Sequence, residues 1–90
     1  MITEEYLENK IISHLEDANI EVIDESAAHI GHVGHNKKGG SHFSITIVSD
    51  AFINLSKIKR HQIIYDILKE EMKQQIHALS LKTLTLEENQ

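Results

Sequence analysis

Ninety residues, 40% of them apolar and 4% aromatic, supply one modest hydrophobic core, so the expected organisation is a single domain spanning 1–90. With no cysteine the chain has no disulfide and no thiolate ligand of its own, and no apolar run approaches the roughly 20 residues of a membrane span. A net charge of −5 disfavours nonspecific binding to a phosphate backbone, and seven histidines, several in one loop, are the unusual feature.

Residues 3–18 read as an amphipathic helix. Thr3 is suited to the N-cap, Ile2 and Leu7 to a hydrophobic staple across it, and Glu4 and Glu5 to the first turn, where the helix dipole favours acids. Leu7, Ile11, Leu15 and Ala18 form the buried stripe, His14 lies beside it as a surface residue, and Asn19 suits the helix end. The acidic start is not that of a secretory signal, and the expected location is the cytoplasm.

A short strand follows over 20–25, with Ile20 and Val22 on one face and Glu21 and Ile23 on the other. Ser26 to Ser41 is a long loop holding all four glycines together with His29, His32 and His35, and His42 stands at its end. Phe43, Ile45 and Ile47 then alternate with Ser44, Thr46 and Val48 in a strand over 42–48.

Ser49 to Leu55 is a turn anchored by Phe52, and Ser56 caps a helix from about 57 to 75, with a kink or short preliminary turn near Arg60. Its apolar stripe is Ile63, Ile64, Ile67, Leu68 and Met72. His77 marks the junction with a last strand over 78–84, where Leu79 and Leu81 share a face opposite Ser80 and Lys82, and Leu86 to Gln90 read as frayed.

The order helix-strand-strand-helix-strand predicts an α+β two-layer sandwich, a three-stranded sheet with its helices on one face. The first two strands pair as a hairpin, and the third arrives by a crossover that allows parallel pairing.

Several constellations bear on function. No nucleophile–base pair stands out, so the chain does not read as an enzyme. Gly31-His32-Val33-Gly34 has the spacing of a nucleic-acid clamp, but it lies between strands, whereas that clamp joins two helices. Lys57, Lys59 and Arg60 form a small basic cluster at a helix start, with Lys37 and Lys38 in the loop; this is the best sequence argument for DNA contact. Neutral imidazole is a common metal ligand, which makes the histidines the strongest chemical signal.

Arg60-His61, an apolar helix ending in Glu70-Glu71, Ile76-His77-Ala78-Leu79-Ser80-Leu81 and Thr83-Leu84-Thr85 together resemble the signature of the BolA-like proteins. Asp24-Glu25-Ser26, Ser41-His42-Phe43 and Ile47-Val48-Ser49-Asp50-Ala51-Phe52 extend the resemblance over nearly the whole chain. It implies a class II KH-like fold and a non-enzymatic role beside a monothiol glutaredoxin, with a shared 2Fe-2S cluster used in iron–sulfur cluster assembly, transfer or iron sensing. The partner contributes its own cysteine and a glutathione thiolate. The metal ligands implied on this chain are His77 and a loop histidine, His29, with His32 and His35 as alternatives because the loop carries more histidines than the family pattern. His61 matches a family-typical residue and reads as a packing or rim histidine. The other implied role is DNA-binding transcriptional regulation of stress response and cell shape, for which the basic cluster Lys57, Lys59 and Arg60 is the candidate contact.

Overall fold

Helix α1 is Glu4–Ile12 in the computed structural model, which describes residues 2–26 and 41–90. Thr3 takes the N-cap with an extended backbone, and its hydroxyl accepts the Tyr6 N–H at 3.0 Å. Ile2 and Leu7 are both buried across that cap.

The helix expected to reach residue 18 stops six residues earlier, and side-chain chemistry explains why. The Ser13 hydroxyl donates to the Lys10 carbonyl at 2.6 Å, taking the acceptor that the next α-helical N–H would need. The His14 N–H bonds instead to the Ile11 carbonyl at 3.0 Å. Asp17 is then drawn across to the far end of the sheet, where its carboxylate accepts the Ser49 hydroxyl at 2.8 Å and the Asp50 N–H at 3.0 Å. Leu15 and Ala18 still pack on the core from this turn, and Asn19 opens the first strand rather than closing the helix.

Strands β1 (Asn19–Asp24), β2 (His42–Val48) and β3 (Ala78–Leu84) form one sheet in the order β1-β2-β3. The first pair is antiparallel and the second parallel. Register aligns Ile20 with Ile47 and Val22 with Ile45 on one side, and Phe43 with Leu79 and Ile45 with Leu81 on the other. These side chains share a face because the strand period is two, and that face meets Leu7, Ile11, Ile64 and Leu68. The opposite face carries Glu21, Ile23, Ala78, Ser80 and Lys82, all exposed. The α+β two-layer arrangement read from the sequence is the arrangement of the molecule.

The crossover from β2 to β3 contains a 3-10 turn, Asp50–Phe52, and two helices, α2 (Lys57–Ile67) and α3 (Lys69–Gln74). Ser49 caps the turn and Ser56 caps α2, its hydroxyl accepting the Lys59 N–H at 3.2 Å. The single helix expected over 57–75 is interrupted, at Leu68 rather than near Arg60. Leu68 leaves helical geometry (φ −100°, ψ 19°) with no glycine or proline to cause it. Its side chain is fully buried, and its carbonyl still accepts the Met72 N–H at 2.9 Å. Beyond the break, buried Glu71 receives the Lys10 ammonium at 2.7 Å and the Tyr6 hydroxyl, which ties α3 to α1. Burial raises the Glu71 pKa, but the Lys10 and Tyr6 hydrogen bonds outweigh it and the net shift is downward.

The chain end, expected to fray, is held instead. The Thr85 N–H donates to Glu88 Oε1 at 2.9 Å and the Glu88 N–H to Thr85 Oγ1 at 3.2 Å, a reciprocal capping box.

Candidate functional site at the base of the histidine loop

Two serines mark where the described chain leaves β1 and rejoins β2. Ser26 is turned inward by a local bond, its N–H donating to Asp24 Oδ1 at 2.9 Å. Its buried hydroxyl then accepts the Ser41 N–H at 3.1 Å and the His42 N–H at 3.2 Å, and lies 3.2 Å from the Ser41 hydroxyl. One side chain thus fastens the two ends of the loop together. The Glu25 N–H adds a backbone bond to the His42 carbonyl at 2.7 Å.

Ser41 is bonded on three sides. Besides its contacts with Ser26, its hydroxyl lies 2.9 Å from His42 Nδ1. Its carbonyl accepts the His77 N–H at 2.7 Å and the Ala78 N–H at 3.3 Å. Because β3 runs parallel to β2 with Ala78 opposite His42, this carbonyl fixes the backbone of His77 at the point where β3 begins. The His42 and His77 rings stand 5.9 Å apart between centroids at an interplanar angle of 89°. His77 is exposed and His42 half-buried, so the pair opens onto the surface beside a shallow depression lined by Glu25, His42, Phe43, Ala78, Leu79 and Ser80.

His77, the first of the expected ligands, therefore lies on a backbone held by the Ser41 carbonyl at the point where β3 begins. His29, and the alternatives His32 and His35, lie outside the described residues, as do Lys37, Lys38 and Gly31-His32-Val33-Gly34. Among the described residues no three histidine or acidic side chains converge into a metal-binding group. His42 and Ser26, which sequence reasoning did not place in the site, are brought to it by the register and by the loop closure. Their positions flanking the loop were visible in the sequence, but nothing there signalled that they bond to each other.

The basic cluster divides. Lys57 and Lys59 are exposed at the start of α2, whereas Arg60 is 6% exposed and turned into the protein. Arg60 Nε donates to the Leu55 carbonyl at 3.0 Å and Nη1 to the Thr83 carbonyl at 3.2 Å. Both terminal nitrogens donate to the Glu88 carboxylate, at 2.6 and 3.2 Å, and the guanidinium lies 5.9 Å from the centre of the Phe52 ring. The Arg60 hydrogen bonds and the Thr85 amide hold the Glu88 carboxyl at about 2, well below its ordinary 4.5. Arg60 thus leaves the surface cluster and joins α2 to β3 and the chain end. His61 beside it is half-buried, and His14 is exposed, its ring 3.1 Å from the Lys10 carbonyl.

The family model for BolA-like proteins matches residues 11–88, a span that includes Ser26, Ser41, His42 and His77. The chain belongs to the BolA-like family. It is 36% identical over 88 residues to the DNA-binding transcriptional regulator BolA of Escherichia coli strain K12, an alignment covering 98% of this chain and 80% of that one. It is 40% identical over 83 residues to SufE-like protein 1, chloroplastic/mitochondrial, of Arabidopsis thaliana, covering 88% of this chain. There the BolA-like chain spans only 22% of the relative's length. The solved structure of the BolA domain of SufE1 from Arabidopsis thaliana superposes with a TM-score of 0.81 at 40% identity, covering 94% of this chain and 93% of that one. Among the described residues of this BolA-like chain, no helix is long and apolar enough to cross a membrane.

Proposed function

We propose that this BolA-like protein is a non-enzymatic partner of a monothiol glutaredoxin, with which it shares a 2Fe-2S cluster for iron–sulfur cluster assembly, transfer or iron sensing. The observation that carries this reading is His77, an exposed imidazole on a backbone held by the Ser41 carbonyl where β3 begins.

The donor set fits a shared cluster. The chain has imidazoles but no thiolate, so cluster ligation on its own side is by nitrogen and the sulfur ligands come from the partner. His77 supplies one ligand. A histidine of the loop supplies the second: His29 is three residues from Ser26, a reach of about 10 Å at most, and Ser26 is bonded to Ser41, whose carbonyl holds the His77 N–H. When bound, such a cluster provides one-electron chemistry at a potential raised by histidine ligation. This chain's residues present the imidazole, hold its backbone, and keep the loop ends beside it.

The test is to mix the protein with cluster-loaded glutaredoxin and record visible absorption and circular dichroism. The wild type should alter the glutaredoxin spectrum and His77→Ala should abolish that change. His29→Ala should weaken it partly, because His32 or His35 can replace it, and the triple change at His29, His32 and His35 should match His77→Ala. An unaltered mixed spectrum from folded His77→Ala would remove His77 from the ligand set.

A second reading, DNA-binding regulation, draws support from the Escherichia coli relative's name and from exposed Lys57 and Lys59. Against it stand the net charge of −5 and the inward turn of Arg60. Sub-micromolar, sequence-specific binding at about physiological salt, lost on Lys57→Ala and Lys59→Ala, would favour this reading.

A further inference from the structure

The hydroxyls at the loop base form a continuous line of contacts that ends on a histidine ring. Ser26 Oγ accepts two backbone N–H groups, from Ser41 and His42, which occupies both of its lone pairs. Its contact with Ser41 Oγ at 3.2 Å must therefore use its own O–H as donor. Ser41 Oγ, having accepted that proton, lies 2.9 Å from His42 Nδ1, a contact that either group can donate.

The consequence is a division of labour between the two rings. The Ser41 hydroxyl engages His42 Nδ1 in either tautomer and so orients the ring, which stands perpendicular to that of His77. The residue opposite His42 in the register is Ala78, whose single methyl leaves room for two rings at one strand end. The same Ser41 that orients His42 through its hydroxyl holds the His77 backbone through its carbonyl.

We propose that Ser41 and His42 are positioning residues for the His77 imidazole: the Ser26–Ser41–His42 relay sets the His42 ring, and that ring limits the orientations open to His77. The assignment deepens the proposed function and rests on His77 as a ligand, but its first test needs no cluster. Long-range nitrogen–proton NMR on the free protein should show a single His42 tautomer, and Ser41→Ala should mix its tautomers. Ring-carbon relaxation at His77 should report an ordered side chain in the wild type and a more mobile one in His42→Ala and Ser41→Ala. A second set of variants guards against loss of fold: Ser41→Thr keeps the hydroxyl, and His42→Phe keeps a ring while removing both nitrogens. Ser41→Thr should retain the wild-type tautomer, and His77 should be more ordered in His42→Phe than in His42→Ala.

Titration with cluster-loaded glutaredoxin then separates the two ideas. Loss of a preset ring orientation should weaken the mixed complex by about threefold to tenfold in His42→Ala, while His77→Ala removes it. Should His77→Ala leave the complex intact, the ligand reading fails, and the relaxation data alone decide the positioning role. Mixed tautomers at His42 in the wild type, or unchanged His77 order in folded His42→Ala, overturns the proposal.

Discussion

Replacing Arg60 by alanine removes a group that the structure uses to close the molecule. Two backbone carbonyls, of Leu55 and Thr83, lose a charged donor. Hydrogen bonds to charged groups contribute about 1.5 kcal/mol or more each, so their joint loss costs on the order of 3 kcal/mol. Contact with Phe52 is lost too, and Glu88 is left to the solvent with only its Thr85 bonds. For a domain of this size, about 3 kcal/mol corresponds to a fall in melting temperature of roughly 12–24 °C. Urea unfolding followed by circular dichroism gives the free-energy change directly, and the slope with denaturant shows whether two-state behaviour survives. Arg60→Lys should recover part of the loss, because one ammonium cannot reproduce the forked contact with Glu88. Lys57→Ala and Lys59→Ala, at exposed positions, should stay within about 0.5 kcal/mol of wild type. If Arg60→Ala unfolds at the wild-type midpoint, the guanidinium is not a structural tie, and the surface reading of the whole basic cluster returns.

Acid should weaken the fold in a defined window. Hydrogen bonds from Ser49 and Asp50 lower Asp17, and Glu71 is lowered in net, as is Glu88. Each has a folded value below its unfolded one, so its contribution is complete above the unfolded value and is lost as pH falls through the folded value; for Glu88 that interval runs from 4.5 to about 2. Urea midpoints measured from neutral pH downward should hold until about pH 5 and then decline, and Glu88→Gln should flatten the decline. Asn54 has φ at 65°, so Asn54→Gly should be neutral or slightly stabilising and Asn54→Ala destabilising by about 1 kcal/mol in the same assay. Anaerobic reconstitution of the pure protein should give no visible cluster spectrum, since no thiolate is present; a stable spectrum on the isolated chain would refute the shared-cluster reading.

The parts of the fold legible in the sequence were those written in a strict period. The alternation through Phe43, Ile45 and Ile47 placed β2 at its observed bounds, and Leu79 and Leu81 did the same for β3. Helix ends were misread where a side chain competes with the backbone. Nothing periodic distinguishes Ser13 as a helix stop, and Leu15 and Ala18 continue the apolar stripe even though they lie in a turn. The break at Leu68 is silent for a similar reason: the residue is apolar, on the stripe and a good helix former. Of the candidate site, the sequence pointed to His77 by resemblance. It could not show that Ser26 and Ser41 meet, because that contact spans fifteen residues and depends on strand pairing. Arg60 was misplaced because charge alone reads as surface, whereas its acceptors come from Leu55, Thr83 and Glu88, scattered along the chain.

The parallel pairing of β2 with β3 also decides when the candidate site exists. His42 and Ala78 are thirty-six positions apart, and the segment between them includes both crossover helices. Closing a span of that length costs more entropy than forming the helices or closing the shorter β1–β2 hairpin. A chain that has formed its β1–β2 hairpin and its helices, but has not yet docked β3, already holds every histidine and still has no His42–His77 pair. The pair is therefore a mark of completed assembly, and a partner that engages it would select finished molecules from those still folding.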